Sequence, residues 1–277
     1  MRTHVILSLA AVCVFTAALG AQDPPKEFVE ARGSVKPVPL PPGGPPPRMA
    51  DGKVDLSGVW FPGPTGKANA WSVVPNERTG PREEPIPFQP WAQAKFDAMT
   101  RTEKELYGNA NVQCLPPGTP GMMTENPYVH QIITKPGQFV HLIENNNRWR
   151  VVHTDGRPHK KAEELEPLFN GDMVGRWEGD TLIIDTISID ERTWIQDGWF
   201  HSDALHVIER FRRPSMNHLE HQYTIEDPKV LTKPWTSNWD TYTLSVNDED
   251  LTENFCTNNE QVEQFKKLLE VEKGGNR

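Results

Sequence analysis

From Tyr128 to about Leu251, apolar and polar residues mostly alternate, and the apolar positions are rich in β-branched and aromatic side chains. That period of two predicts strands with one buried face. Ahead of this region, Asp55–Trp60 reads as a first strand, and the Pro- and Gly-rich stretch 61–90 as a long loop. Gln89 to Tyr107 places Trp91, Ala94, Phe96, Ala98 and Met99 among charges, which predicts a helix near 90–107. Residues 108–127 return to loop, and Val262–Val271 predicts a short C-terminal helix. Successive hairpins with one apolar face imply a mainly β fold. The expectation is one domain over 51–272, an antiparallel β-barrel or strongly curved sheet.

A one-residue slip in a hairpin exchanges its faces, so the apolar face sets the register. For 139–153, a three-residue turn Asn145–Asn147 pairs Glu144 with Arg148 and Leu142 with Arg150. Phe139, His141, Ile143, Trp149, Val151 and His153 then face inward. For 204–227, pairing Arg212 with His218 sets Phe211 against Leu219, Arg210 against Glu220, and Glu209 against His221 on the inner face. Between the hairpins, Glu178-Gly179-Asp180 has turn chemistry and Leu182–Ile187 reads as a strand, with Asp185 on the face of Ile183 and Ile187.

The N-terminus changes the picture. Arg2, the apolar run Val5–Leu19 and the small residues Ala18 and Gly20 before Ala21 read as a secretory signal over 1–20. Nine prolines in 21–50 predict an extended, solvated arm. Losing the signal removes Arg2 and Cys13, so the formal charge of −9 becomes −10 and two cysteines remain. In an oxidising compartment Cys114 and Cys256 are most simply a disulfide; the alternative is two separate free thiols. The acidic balance excludes a general phosphate-backbone binder, so no nucleic-acid partner is expected. After residue 20 no apolar run is long enough for a membrane span.

Candidate chemistry rests on the inward polar set His141, His153, Glu209 and His221, with Asp185 as a further member. Polar groups on apolar strand faces need hydrogen bonds, a ligand, a metal or water. Three readings follow: a structural network, a binding pocket with polar groups converging in apolar walls, and a catalytic pair in which Glu209 orients His221 as general base. A divalent metal held by three His and one Glu lacks a compact ligand motif, and no metal site is expected. There is no GxGxxG, P-loop, HExxH or GxSxG, so no cofactor is implied. Trp60, Trp177 and Trp194 are candidate ligand-facing aromatics, and Trp194, Trp199 and Phe200 around Asp197-Gly198 are candidates for a pocket mouth.

Across roughly 50–265 the chain resembles an uncharacterised family of secreted bacterial proteins. The matching stretches include Asp55–Trp60, Cys114-Leu115-Pro116-Pro117-Gly118, Gly175–Thr186 with its Trp-Glu-Gly-Asp-Thr-Leu block, Asp203–Phe211, Lys233-Pro234-Trp235 and Glu253–Asn259. The resemblance implies no activity. It has a cysteine at both positions found here, which supports the disulfide. It usually has Glu after the second cysteine, where this chain has Thr257. Gly58-Val59-Trp60 also looks like the Gly-x-Trp of lipocalin-like barrels, whose Trp closes one end. The leading expectation is a periplasmic or secreted small-molecule-binding protein, its ligand inside the barrel among Trp60, His141, His153, Glu209 and His221. The alternatives are a cofactor-independent lyase, isomerase or hydrolase using Glu209 and His221, and an envelope structural or interaction protein.

Overall fold

A computed structural model describes residues 43–62, 84–110, 112–124, 128–195, 198–245, 251–256 and 259–274. The secretory signal, most of the proline-rich arm and Asp197 lie outside the described residues. Ten strands follow one another: β1 (Gly58–Pro62), β2 (His130–Lys135), β3 (Gln138–Ile143), β4 (Arg148–His153), β5 (Asp172–Glu178), β6 (Thr181–Ile187), β7 (His206–Ser215), β8 (His218–Glu226), β9 (Trp235–Thr236) and β10 (Asp240–Leu244). Each pairs with the next through β9, and β10 pairs with both β1 and β8. Those last pairings close β1–β8 and β10 into a nine-stranded barrel, with β9 alongside β8. All ladders are antiparallel except β4–β5, which is parallel and paired at one position, His153 with Val174. The barrel is therefore mixed rather than purely antiparallel.

Alternation along each strand fills the interior. Trp60, Ile132, Phe139, Val152, Leu182, Ile184, Phe211, Leu219 and Tyr242 form one buried cluster. At about 25 cal/mol per Å2, burying each large apolar side chain contributes roughly 1.5–3 kcal/mol. Trp60 closes its part of the core by donating its indole N–H to the Leu56 carbonyl at 3.1 Å. A short helical segment, α3 (Gly118–Thr124), is inserted among the strands: Gly118–Met123 are all buried, and Met123 belongs to the barrel cluster. Gly118 has φ +66°, and a Cβ there would meet the Phe169 carbonyl at 2.5 Å, so both turn and packing require glycine.

The helix expected near 90–107 is two helices, α1 (Pro90–Ala98) and α2 (Arg101–Gly108). Thr100 breaks it: its hydroxyl accepts from the Glu103 N–H while Glu103 accepts from the Thr100 N–H, a complete capping box. A second apolar cluster containing Ala92, Phe200, Tyr223, Val230 and Trp235 joins α1 to the barrel. Helix α4 (Asn259–Gly274) is longer than expected and packs Leu269 with Leu106 and Val112. Cys114 and Cys256 are joined, with Cα atoms 5.5 Å apart. Residues 43–50, expected to belong to the solvated arm, lie on the barrel: Met216 N–H donates to the Gly44 carbonyl, and Arg48 makes a two-bonded ion pair with Asp180.

Both hairpin registers differ from expectation. The turn after β3 uses four residues, Glu144–Asn147, with Asn146 and Asn147 at φ +56° and +50°. Ile143 therefore pairs with Arg148, and His141 with Arg150. The phase of β4 is reversed: Arg150 and Val152 point inward, while Trp149 is 64% exposed and His153 faces out. In the second hairpin the ladder is irregular between Arg212 and Ser215, around Pro214, which lacks a donor. Phe211 pairs with His221 and Glu209 with Tyr223, two residues from the expected register. A slip of two preserves the faces, so Glu209 and His221 do point inward. Arg212, rather than Arg210, meets Glu220.

Candidate functional site

Five polar side chains from strands β2, β3, β4, β7 and β8 meet inside the barrel. Arg150 lies at their centre. Its Nη1 and Nη2 donate to Glu209 Oε2 and Oε1 at 2.5 and 2.9 Å, its Nε donates to His141 Nδ1 at 3.2 Å, and its Nη1 reaches Thr119 of α3 at 3.5 Å. His221 Nε2 lies 3.0 Å from Glu209 Oε1, and His141 Nε2 lies 3.0 Å from His130 Nδ1. These contacts fix the tautomers. His141 accepts at Nδ1, so it donates from Nε2 to His130, whose own proton sits on Nε2. His221 donates from Nε2 to the carboxylate. His130 Nε2 and His221 Nδ1 are buried with no hydrogen-bond partner among the described residues.

The electrostatics follow from that packing. Burial alone would raise the Glu209 carboxyl, but the Arg150 charge and the hydrogen bonds from His221 and Arg150 bring it down to about 2. Burial, with the nearby His221 and Arg150 charges, pulls His130 down to about 3. His141 is likewise held well below the ordinary histidine range, first by burial and then by Arg150. One cation and one anion thus compensate each other, with His130 and His141 held neutral beside them. A carboxylate this acidic and gripped by a guanidinium stays ionised beside His221. His130, His141, Glu209 and His221 are 0% exposed and Arg150 1%. No water-sized space touches them, as it would around a ligand.

Of the residues picked out by sequence, Trp60, His141, Glu209 and His221 are therefore together in the interior, and Trp177 packs against the same cluster. His153 is not among them, because β4 has the opposite phase. Asp185 also faces outward: Leu182, Ile184 and Thr186 are the inward, fully buried positions of β6, and Asp185, on the other face with Ile183, meets His159 and His206. Trp194 lies outside the barrel interior, ringed by Tyr107 and Phe200. Trp199 and Phe200 line a void of about 10 Å3 in the second cluster, too small for a ligand. Sequence reasoning missed His130 and Arg150. His130, Ile132 and Thr134 share the inward phase of β2, a signal that was available for the histidine.

An open groove of about 360 Å3 lies on the outer surface, lined by Pro116, Asn147, Arg148, Trp149, Leu168, Phe169 and Asn170. Trp149 and Leu168 expose apolar surface there, at 64% and 49%. The groove joins the entry to α3, the β3–β4 turn and the end of the β4–β5 connection. Asn170 ties two of these together, donating to the Trp149 carbonyl at 3.4 Å and accepting at its own carbonyl from Thr119 at 3.2 Å. Among the described residues no group of three or more His, Cys, Asp or Glu is arranged to hold a metal, and no helix is long and apolar enough to cross a membrane. No family model matches the chain, and no curated protein is similar enough to match it.

Proposed function

We propose that the protein is an exported small-molecule-binding protein that takes its ligand in the outer groove beside Trp149, not in the barrel interior. The observation that carries this reading is the pairing of a 64% exposed indole with amides and a guanidinium around about 360 Å3 of open space. That volume lies within the usual range of ligand sites. The indole face offers a stacking platform, and Asn147, Arg148 and Asn170 offer hydrogen bonds at its margin. The chemistry best matched is a neutral polyol ring with one apolar face, such as a saccharide. Export is supported by the Cys114–Cys256 bond, by the apolar leader-like segment at the N-terminus and by the lack of a membrane-crossing helix among the described residues.

The test is a thermal-shift screen of mono- and oligosaccharides, aromatic acids and lipids, followed by calorimetry, on the full chain and on Trp149→Ala. A saccharide is expected to raise the melting temperature of the parent protein. Trp149→Ala is expected to abolish that shift while melting close to the parent when unliganded, because an exposed side chain contributes little to stability. No shift from any compound, or a shift that survives Trp149→Ala, would overturn the proposal.

A further inference from the structure

Across the outer wall of the barrel, carboxylates and imidazoles alternate in an unbroken line. Asp172 Oδ2 lies 2.7 Å from His159 Nδ1, and His159 Nε2 lies 3.1 Å from Asp185 Oδ1. The same Asp185 oxygen lies 2.8 Å from His206 Nε2, and His206 Nδ1 lies 3.2 Å from Glu226 Oε2. Asp172, Asp185, His206 and Glu226 come from the adjacent strands β5, β6, β7 and β8. His159 comes from the connection 154–171. Each imidazole thus has a carboxylate oxygen at both ring nitrogens. A neutral ring has one N–H and would turn a lone pair toward the second carboxylate; the imidazolium donates to both.

The connection that carries His159 is lightly held. It crosses from β4 to β5, the barrel's parallel junction. Its ends are fixed by backbone bonds, Thr154 to Gly137 at one end and Leu168 to Ser188 and Asp190 at the other. Between them, among the described residues, His159 is the one side chain of 155–167 hydrogen-bonded to a strand; the Lys160 N–H adds a bond to Asp172, and Arg157 is occupied by Asp155 within the loop. The same connection ends in Leu168, Phe169 and Asn170, one wall of the groove.

We propose that His159 and His206 form a proton-operated latch that fastens the 154–171 connection to the barrel wall when protonated and frees it when neutral. The other charged groups facing it are consistent with this. Arg176 of β5 lies 4.0 Å from Asp185 but also bonds Glu178, so its charge is shared between the two carboxylates. Arg210 of β7 is spent on Thr224. His153 of β4 lies in the same outward row, across from Val174. With both imidazoles protonated, three carboxylates face two imidazoliums and Arg176; with both neutral, they face Arg176 alone.

The sign follows from the partners. Hydrogen bonding to Asp185 raises His206 above 6.5, and hydrogen bonding from His206 lowers Asp185 below 3.8. The His206 contribution is complete below the unfolded value near 6.5 and is lost as pH rises through the raised folded value. The Asp185 contribution is complete above the unfolded value near 3.8 and is lost on further acidification. The His206–Asp185 pair therefore supports the closed latch between about pH 4 and pH 6.5, and that support is lost at higher pH.

The latch does not depend on the groove binding a ligand; its control of groove affinity rests on the binding reading. The test uses the unliganded full chain. Hydrogen exchange of peptides covering 155–167 is measured at pH 5.5 and pH 8.0 and corrected for intrinsic exchange. Protection is expected to fall at least threefold at pH 8.0. His159→Gln is expected to show the low protection at both values, while strands β7 and β8 stay unchanged. NMR titration of the His206 imidazole is expected to give an elevated value that drops in Asp185→Asn. Equal protection at both pH values, a His159→Gln profile matching the parent, or an unelevated His206 titration would overturn the latch.

Discussion

Replacing Arg150 by Met tests whether the polar core holds the barrel together. Arg150 makes two hydrogen bonds to Glu209 and one to His141, at 0–1% exposure. Its loss leaves a carboxylate buried with His221 alone. Breaking a buried pair from one side costs about 3–5 kcal/mol, and losing two or three bonds to charged groups gives a similar figure. Glu209→Gln strands the guanidinium and should cost about as much. The double variant should cost less than the sum of the two by at least about 2 kcal/mol, because neither survivor is left charged and alone.

A pH dependence follows. Without Arg150, burial raises the Glu209 carboxyl instead of leaving it near 2. Above the unfolded value near 4.5 the variant then loses stability as pH rises, while the parent does not lose it through this group. The Arg150→Met deficit should therefore be smaller at pH 5 than at pH 8. Equilibrium urea unfolding of parent, singles and double at both values measures all of this. Single-variant costs under about 1 kcal/mol, or costs that add within about 0.5 kcal/mol, would refute the structural role.

Two further outcomes are expected. The core should be acid-labile: His130 sits near 3 when folded against 6.5 when unfolded, so the unfolded chain takes up the extra proton as pH falls. His130 alone should cost about 3 kcal/mol by pH 4, with Glu209 adding below 4.5; urea midpoints that stay flat or rise between pH 7 and pH 4 would contradict it. The Cys114–Cys256 bond spans 142 residues, for which chain entropy gives about 5 kcal/mol. Cys114→Ser with Cys256→Ser should lower the urea midpoint and remove any effect of reductant, and an unchanged midpoint would count against the estimate.

The barrel was legible because alternation survives even where register does not. In the β7–β8 hairpin the irregularity at Arg212–Ser215 shifts the pairing by two, an even number, so Glu209 and His221 keep their inward phase. In β3–β4 the turn takes one residue more than expected, an odd change, and every side chain of β4 reverses. Counting apolar residues favoured Trp149 and Val151 inside, because nothing local reveals that Arg150 has its counterion fifty-nine residues away in Glu209. The parallel β4–β5 junction and the double pairing of β10 are likewise non-local. The break between α1 and α2 was readable: Thr100-Arg101-Thr102-Glu103 is a capping sequence inside an otherwise helical pattern. The outer groove had no sequence signature, since it gathers residues from three separate turns and connections.

The β4–β5 junction gives the wall a preferred line of parting. One residue pair joins these strands, whereas six join β3 to β4 and seven join β5 to β6. Gly175 lets them approach, since a Cβ there would meet Thr154 at 2.7 Å. Fluctuations that wet the interior should begin at this seam, where few ladder bonds must break. Arg150 lies on β4 itself, so the first water admitted would meet the guanidinium, and the charge that steadies the folded core would also be the first to be rehydrated as the wall gives way.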